Sequence, residues 1–285
     1  SSIEKVSPDF GSTELQFPSN EIIDQITLNQ TLIDTVKTLL QTNDILLSQS
    51  DAWSKGGFPA NRNTRSQHKN NNQRIHMDYG NHTFLHIHSW DKPDCVAAIV
   101  YLSDTTETGG GTAFVSRLGN DDEAYQTPYL KMPGQLDYTF NNDKDHAENY
   151  FKKNHPDIYQ FRQKLYQREQ IVKAKVGDIL FYRLDLWHRG TPVKIGKIRH
   201  VMNLAWKKKE ATWINVWNPG WTIKMYYQKI EKLFVSMTPE QRGILGIPLP
   251  GHDYWTIEKL DLLKQRYPNI NIKPYLIKIK SKSKL

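Results

Sequence analysis

Apolar residues recur at helical spacing early in the chain. Ile22, Ile26, Ile33, Val36 and Leu40 form one stripe, widened by Ile23, Leu32 and Leu39. Ser19 or Asn20 can cap its first turn. The pattern predicts one or two helices leaning on a sheet, an N-terminal helical layer over residues 19–50. Residues 1–18 ahead of it are polar, carry Pro8, Gly11 and Pro18, and read as an arm. Past the Gly56-Gly57 break the pattern turns to strands. Gln73-Arg74-Ile75-His76-Met77-Asp78-Tyr79 reads as one, and residues 96–102 are a continuous apolar run. The Gly109-Gly110-Gly111 turn leads into another at residues 112–116, so strand, glycine turn and strand predict a hairpin. Strand pattern returns at residues 171–175. It continues from Gly177-Asp178 through an apolar strand to His188, and ends in residues 201–206.

Three segments break this order. Residues 61–72 are basic, rich in Asn and nearly devoid of apolar side chains, which predicts a loop running straight into the His76 strand. Residues 119–170 look like an insertion, polar around Pro128 and Pro133, then helical from about Asp145 with an interruption near Pro156. Both are candidate lids over whatever the strands enclose. Beyond Trp206 the chain changes character: Trp213, Trp217 and Trp221 sit among Gly and Pro, and they are expected to pack. Thr238-Pro239-Glu240-Gln241 signals a short helix, and another follows Trp255. The whole predicts a mainly β fold with flanking helices in a single domain spanning 1–285. Its core covers 55–206, with the insertion at 119–170, and an extension over 207–285 wraps that core.

Composition narrows the classes. With 38% hydrophobic and 24% charged residues in 285, the chain is globular and long enough to bury a large core. No apolar run is long enough to span a bilayer, and no secretory signal is visible. Cys95 is the only cysteine, which excludes an internal disulfide and fits a reducing, intracellular compartment. Of the net +8, five charges are the tail lysines 273, 278, 280, 282 and 284, so the rest of the chain carries about +3. Such a tail reads as solvated, and no nucleic-acid partner is expected, although an anionic small substrate suits the charge.

The chemistry concentrates on four residues. On a strand, His76 and Asp78 point to one face while Ile75 and Met77 pack on the other. An imidazole beside a carboxylate supplies two thirds of the 2-His-1-carboxylate triad that suits non-haem Fe(II), and His188 is the candidate third ligand. Arg199 enters the next apolar strand. An arginine there needs an anionic partner, and its rigid fork suits a carboxylate.

The order His76-x-Asp78, His188, Arg199 resembles the Fe(II)/2-oxoglutarate dioxygenases with a double-stranded β-helix (jelly-roll or cupin-like) core. Within them it resembles the phytanoyl-CoA dioxygenase family most. The resembling pieces are residues 74–79, Ile99-Val100-Tyr101-Leu102-Ser103-Asp104, the Gly109-Gly110-Gly111-Thr112 turn, and Trp187-His188-Arg189-Gly190-Thr191-Pro192-Val193 with Arg199. The resemblance implies Fe(II) on His76, Asp78 and His188, with 2-oxoglutarate chelating the metal and its far carboxylate on Arg199. It implies O2 as oxidant, succinate and CO2 as products of the co-substrate, and hydroxylation of a small organic substrate. Related halogenases lack the carboxylate that Asp78 supplies. Some relatives carry a Ser two residues after the distal histidine that helps hold the co-substrate; here that position is Gly190, which has no side chain, and Thr191 and Thr112 are the candidate substitutes.

Other readings stay open at this level. One is a cupin-like metal oxygenase that takes no 2-oxoglutarate; another is a non-catalytic barrel that binds a ligand. His82, His86 and His88 lack a cupin-type glutamate after them, so they are expected at the substrate mouth or surface rather than on a second metal. Ser283-Lys284-Leu285 is a peroxisomal address if it ends the native chain, read by the import receptor; without it the expectation is cytoplasmic.

Overall fold

A computed structural model describes residues 15–16, 21–57, 70, 72–78, 93–126, 143–212, 234–243 and 247–282. A two-residue strand, β1 (Leu15–Gln16), precedes two helices, α1 (Glu21–Thr27) and α2 (Gln30–Leu40). The break between them is chemical: the Asn29 side chain accepts from the Leu32 backbone N–H and starts α2 as its cap. That break splits the predicted stripe. Ile23, Leu32, Val36 and Leu40 are buried, whereas Ile22 and Leu39 at its edges are exposed.

The helical layer ends at Leu40, not at residue 50, because β2 (Ile45–Gly56) follows. The core therefore begins about ten residues before 55. Strands β3 (Cys95–Tyr101), β6 (Ile179–Tyr182) and β8 (Ile198–Lys208) join β1 and β2 in a five-stranded antiparallel sheet of order β1-β2-β8-β3-β6. β4 (Thr112–Val115), β5 (Glu169–Ile171) and β7 (His188–Gly190) form a three-stranded sheet of order β5-β4-β7. The fold is mainly β with flanking helices.

Two predicted connections change. β3 and β4 are not a hairpin: a helical turn, α3 (Thr105–Thr108), carries the chain from one sheet to the other. The single strand expected between Ile179 and His188 is likewise divided, β6 lying in one sheet and β7 in the other. The strand expected at residues 171–175 is not there: β5 covers Glu169–Ile171, and residues 172–175 are outside any strand.

Strand alternation sorts the five-stranded sheet into two faces. Outward, Ala52, Val96, Ala98, Val100, Met202, Leu204 and Trp206 cluster with the buried residues of α1 and α2. Inward, Trp53, Ile99, Tyr101 and Val201 cluster with Leu180 and Tyr182. Tyr101 Oη donates to Thr112 Oγ1 at 2.9 Å, so the inner face reaches the second sheet.

The insertion contributes α4 (Glu123–Gln126), α5 (Lys144–Asn154) and α6 (Pro156–Gln167), with Pro156 at the start of α6 as its missing N–H allows. A buried network fixes α5 to α6: Arg162 pairs with Glu148 at 2.6 Å, and Tyr166 Oη donates to the same carboxylate at 2.7 Å. Past β8 come α7 (Pro239–Gly243), α8 (Ile257–Arg266) and α9 (Lys273–Lys282). α9 spans most of the lysine-rich tail, with Lys273 exposed and Tyr275 buried. Tyr254, Trp255, Leu260, Leu263, Tyr267 and Tyr275 pack in one cluster with Ile75, Met77, Val115, Leu165 and Trp187. The C-terminal helices thus cover the side of the molecule that backs the His76 segment.

Candidate metal centre

Residues 72–78 are not a sheet strand as expected; they form a single antiparallel bridge between His76 and His188. Two hydrogen bonds close it, His76 N–H to His188 C=O at 2.9 Å and His188 N–H to His76 C=O at 2.8 Å. One bridge suffices for the predicted alternation. Ile75 and Met77 are fully buried in the core, and His76 and Asp78 turn to the other side. The insertion steadies the segment from behind, since Tyr166 Oη accepts from the Ile75 backbone N–H at 3.0 Å. The α5–α6 part of the insertion is thus a brace beside the ligand segment, and residues 127–142 lie outside the described part.

His76, Asp78 and His188 come together, with a donor atom from each within 4.8 Å of the others. His76 Nε2 lies 3.8 Å from Asp78 Oδ1, and His188 Nε2 lies 3.4 Å from Asp78 Oδ2. Each imidazole is oriented by its other nitrogen. His76 Nδ1 lies 2.9 Å from the Arg74 carbonyl, and His188 Nδ1 lies 2.9 Å from the Leu186 carbonyl. Such contacts set the tautomer that leaves Nε2 unprotonated, as a metal ligand must be. Burial, then the neighbouring His188, pushes the His76 imidazolium down to about 3, so the ring is neutral when a metal arrives. Two imidazoles and one carboxylate on one side fit a divalent first-row ion with open positions.

Tyr182 was not singled out by sequence. Its hydroxyl donates to Asp78 Oδ2 at 3.4 Å, and its ring lies 5.3 Å from that of His188. A cavity of about 270 Å³ adjoins it, walled largely by Phe114, Tyr125, Leu180, Phe181 and Leu186. Phe114 is the register partner of His188, so one wall of the cavity belongs to the strand beside the ligand strand, while no triad residue lines it.

Arg199 lies at the other end of the inner face, only 2% exposed. Nη1 donates to the Gly110 carbonyl at 2.6 Å, and the guanidinium carbon stands 4.7 Å from the Trp53 ring centre. Nε and Nη2 are buried with no hydrogen-bond partner among the described residues. Burial lowers the guanidinium to about 10, so it stays charged at neutral pH. A buried guanidinium with two idle donors is a cradle for a carboxylate. The glycine turn explains itself here. Gly110 has φ +71°, and a Cβ would meet Val193 Cγ2 at 2.7 Å and Arg199 Cδ at 3.2 Å. No side chain fits where the backbone must reach the guanidinium.

The Gly190 position also has an occupant. Gln73 Oε1 accepts from the Gly190 N–H at 2.7 Å and sits 2.8 Å from where a Cβ would lie. Thr191 Oγ1 donates to the Gly111 carbonyl, and Thr112 Oγ1 accepts from Tyr101. His82, His86, His88, the three tryptophans 213, 217 and 221, nearly all of the 61–72 loop and Ser283-Lys284-Leu285 lie outside the described residues. No helix among those described is long and apolar enough to cross a membrane.

No family model and no curated protein matches the chain. Solved structures do resemble it. HygX from Streptomyces hygroscopicus, solved with nickel and 2-oxoglutarate bound, is 14% identical over 73% of this chain and 74% of its own, with a TM-score of 0.44. The non-haem α-ketoglutarate-dependent carbocyclase SnoK from nogalamycin biosynthesis is 12% identical over 70% and 63%, with a TM-score of 0.46. The epimerase SnoN of the same biosynthesis is 11% identical over 66% and 57%, with a TM-score of 0.40. At these scores the likeness decides nothing about chemistry, which rests on the residues of this chain.

Proposed function

We propose that this chain is a single catalytic unit, a non-haem Fe(II)- and 2-oxoglutarate-dependent oxygenase that hydroxylates a small organic substrate. The observation that carries the reading is the pairing of two features on one inner surface. One is the His76–Asp78–His188 group; the other is the buried Arg199 with donors to spare. A metal oxygenase without an oxo-acid co-substrate leaves Arg199 unexplained, and a ligand-binding barrel leaves the oriented triad unexplained. The same arrangement fits a double-stranded β-helix core of the phytanoyl-CoA dioxygenase type.

The roles follow from the geometry. His76 Nε2, Asp78 and His188 Nε2 would hold the metal, and the Arg74 and Leu186 carbonyls fix the two rings. Tyr182 steadies Asp78 from its Oδ2 side. Arg199 takes the far carboxylate of 2-oxoglutarate through its Nε and Nη2 donors, which meet no acceptor among the described residues. Trp53, Tyr101, Ile99 and Val201 line the same inner face and exclude water from the carboxylate. When bound, iron with its chelated oxo acid supplies dioxygen activation coupled to oxidative decarboxylation to succinate and CO2. The apolar cavity beside Tyr182 is the substrate's place in this reading.

The test is turnover. Purified protein given Fe(II), 2-oxoglutarate and air should form succinate, and a stimulating substrate should gain one oxygen by mass. Succinate formation that ignores iron and a substrate screen, or product formation that ignores 2-oxoglutarate, would contradict the proposal.

A further inference from the structure

β2 and β8 place Lys55 directly opposite Arg199. Partners in antiparallel register project to one face, here the inner face that also carries Trp53. Both cations are buried, at 5% and 2% exposure. Like charges set opposite one another destabilise a strand pair, and burial removes the water that would screen them. Lys55 Nζ donates to the Thr191 carbonyl at 3.0 Å, while Arg199 Nη1 donates to the Gly110 carbonyl. Those two anchors adjoin, because Thr191 N–H and Oγ1 both donate to the Gly111 carbonyl. The ammonium and the guanidinium are therefore tethered side by side. A third cation, Arg189, acts on Lys55 from β7, but it is already engaged by both carboxylate oxygens of Glu169 and by Asn72.

We propose that Lys55 is a second cation of the co-substrate pocket, positioning the distal carboxylate jointly with Arg199 and selecting 2-oxo acids that carry a second negative charge. This rests on the co-substrate reading above. The guanidinium offers Nε and Nη2 to a carboxylate, and an ammonium offers a point charge that adapts to the remaining oxygen. The anion turns a repulsive cation pair into a three-centre bridge. The pairing also has a protonic consequence. Burial first, then Arg199 and Arg189, lowers the Lys55 ammonium to about 7, so near neutrality part of the population is uncharged. Among the described residues, the charged groups that lower it are Arg199 from β8, itself facing Tyr101 from β3, and Arg189 with its Glu169 counter-charge from the second sheet. A carboxylate beside the amine favours the ammonium. Binding thus takes up a proton, and affinity declines as pH rises through about 7 and beyond.

The experiment is calorimetric titration of Mn(II)-loaded protein with 2-oxoglutarate and with 2-oxobutyrate, which lacks the distal carboxylate. Buffers of different ionisation heat report the proton uptake. The unmodified protein should prefer 2-oxoglutarate and take up a fraction of a proton near neutrality. Lys55→Met should weaken 2-oxoglutarate about 10- to 100-fold, leave 2-oxobutyrate unchanged and abolish the uptake. Lys55→Arg, should the methionine variant not fold, should keep the preference and lose the uptake, because a guanidinium does not titrate in this range. Equal weakening of both acids, or 2-oxoglutarate binding indifferent to Lys55, overturns the proposal and leaves the co-substrate reading standing. Mn(II) binding without any 2-oxoglutarate binding to the unmodified protein overturns both.

Discussion

On the outer face of β8, Met202, Leu204 and Trp206 lie under α1 and α2; on its inner face, one residue out of step, stand Arg199, Val201 and Asn203. β2 repeats the division, with Ala52 outside and Asp51, Trp53 and Lys55 inside. The outer face contains hydrocarbon, whose burial drives folding. The inner face contains charge, whose burial opposes folding unless a partner arrives. The comparison separates what holds the protein together from what the protein holds. It also says how substitutions on the two faces should differ: changes to the outer hydrocarbon lower stability and spare ligand affinity, whereas changes to the inner cations lower ligand affinity and spare stability.

The largest effect belongs to the triad. His76→Ala should abolish iron-dependent succinate formation and weaken metal binding by more than about 100-fold, since even the groups that merely orient metal ligands contribute 10- to 100-fold. Its far-ultraviolet circular dichroism should stay that of the parent, because Ile75 and Met77, not His76, pack the segment. Leu40→Ala is the matching change outside. It should cost about 2–5 kcal/mol in urea unfolding, and the 2-oxoglutarate affinity of the folded fraction should not move. Arg199→Met sharpens the contrast. Co-substrate affinity should fall about 100-fold, while the ligand-free protein gains about 1 kcal/mol on losing a buried charge. A loss of stability in Arg199→Met would break the division between the faces.

The smallest effect is a slope. The Lys55 ammonium is lowered from 10.5 to about 7 in the folded protein. Between those values the unfolded chain binds the proton and the folded chain does not. Ligand-free stability should therefore fall as pH drops from 10.5 toward 7, then level off below. Urea midpoints of the parent and of Lys55→Met, compared at both ends of that window, measure the contribution.

The sequence made the two faces unequally visible. The triad and Arg199 were legible because His-x-Asp, a distal histidine and an arginine at a strand head stand out against apolar surroundings. β3 and β8 were legible for the same reason, as long apolar runs. β2 was not, because Ser48, Ser50, Asp51, Ser54 and Lys55, all buried, make a 12-residue strand read as polar. Lys55 was missed with it. A polar strand that ends in an unexplained lysine before Gly-Gly was the available signal. Tyr182 sat within a recognised strand, but nothing local marks one aromatic as facing a carboxylate 104 positions away. The two divided connections were hidden because strands that change sheets look like hairpins or single strands until their partners are known.

The central claim is that a metal on His76, Asp78 and His188 and a carboxylate on Arg199 are bridged by one co-substrate. Anaerobic visible absorption tests it most directly. Fe(II) added alone should give no band, and subsequent 2-oxoglutarate should raise a metal-to-ligand charge-transfer absorption that saturates at one equivalent per protein. The band should be absent in His188→Ala, and in Arg199→Met it should require far more co-substrate. A band that forms equally in both variants, or none in the parent, would contradict the account.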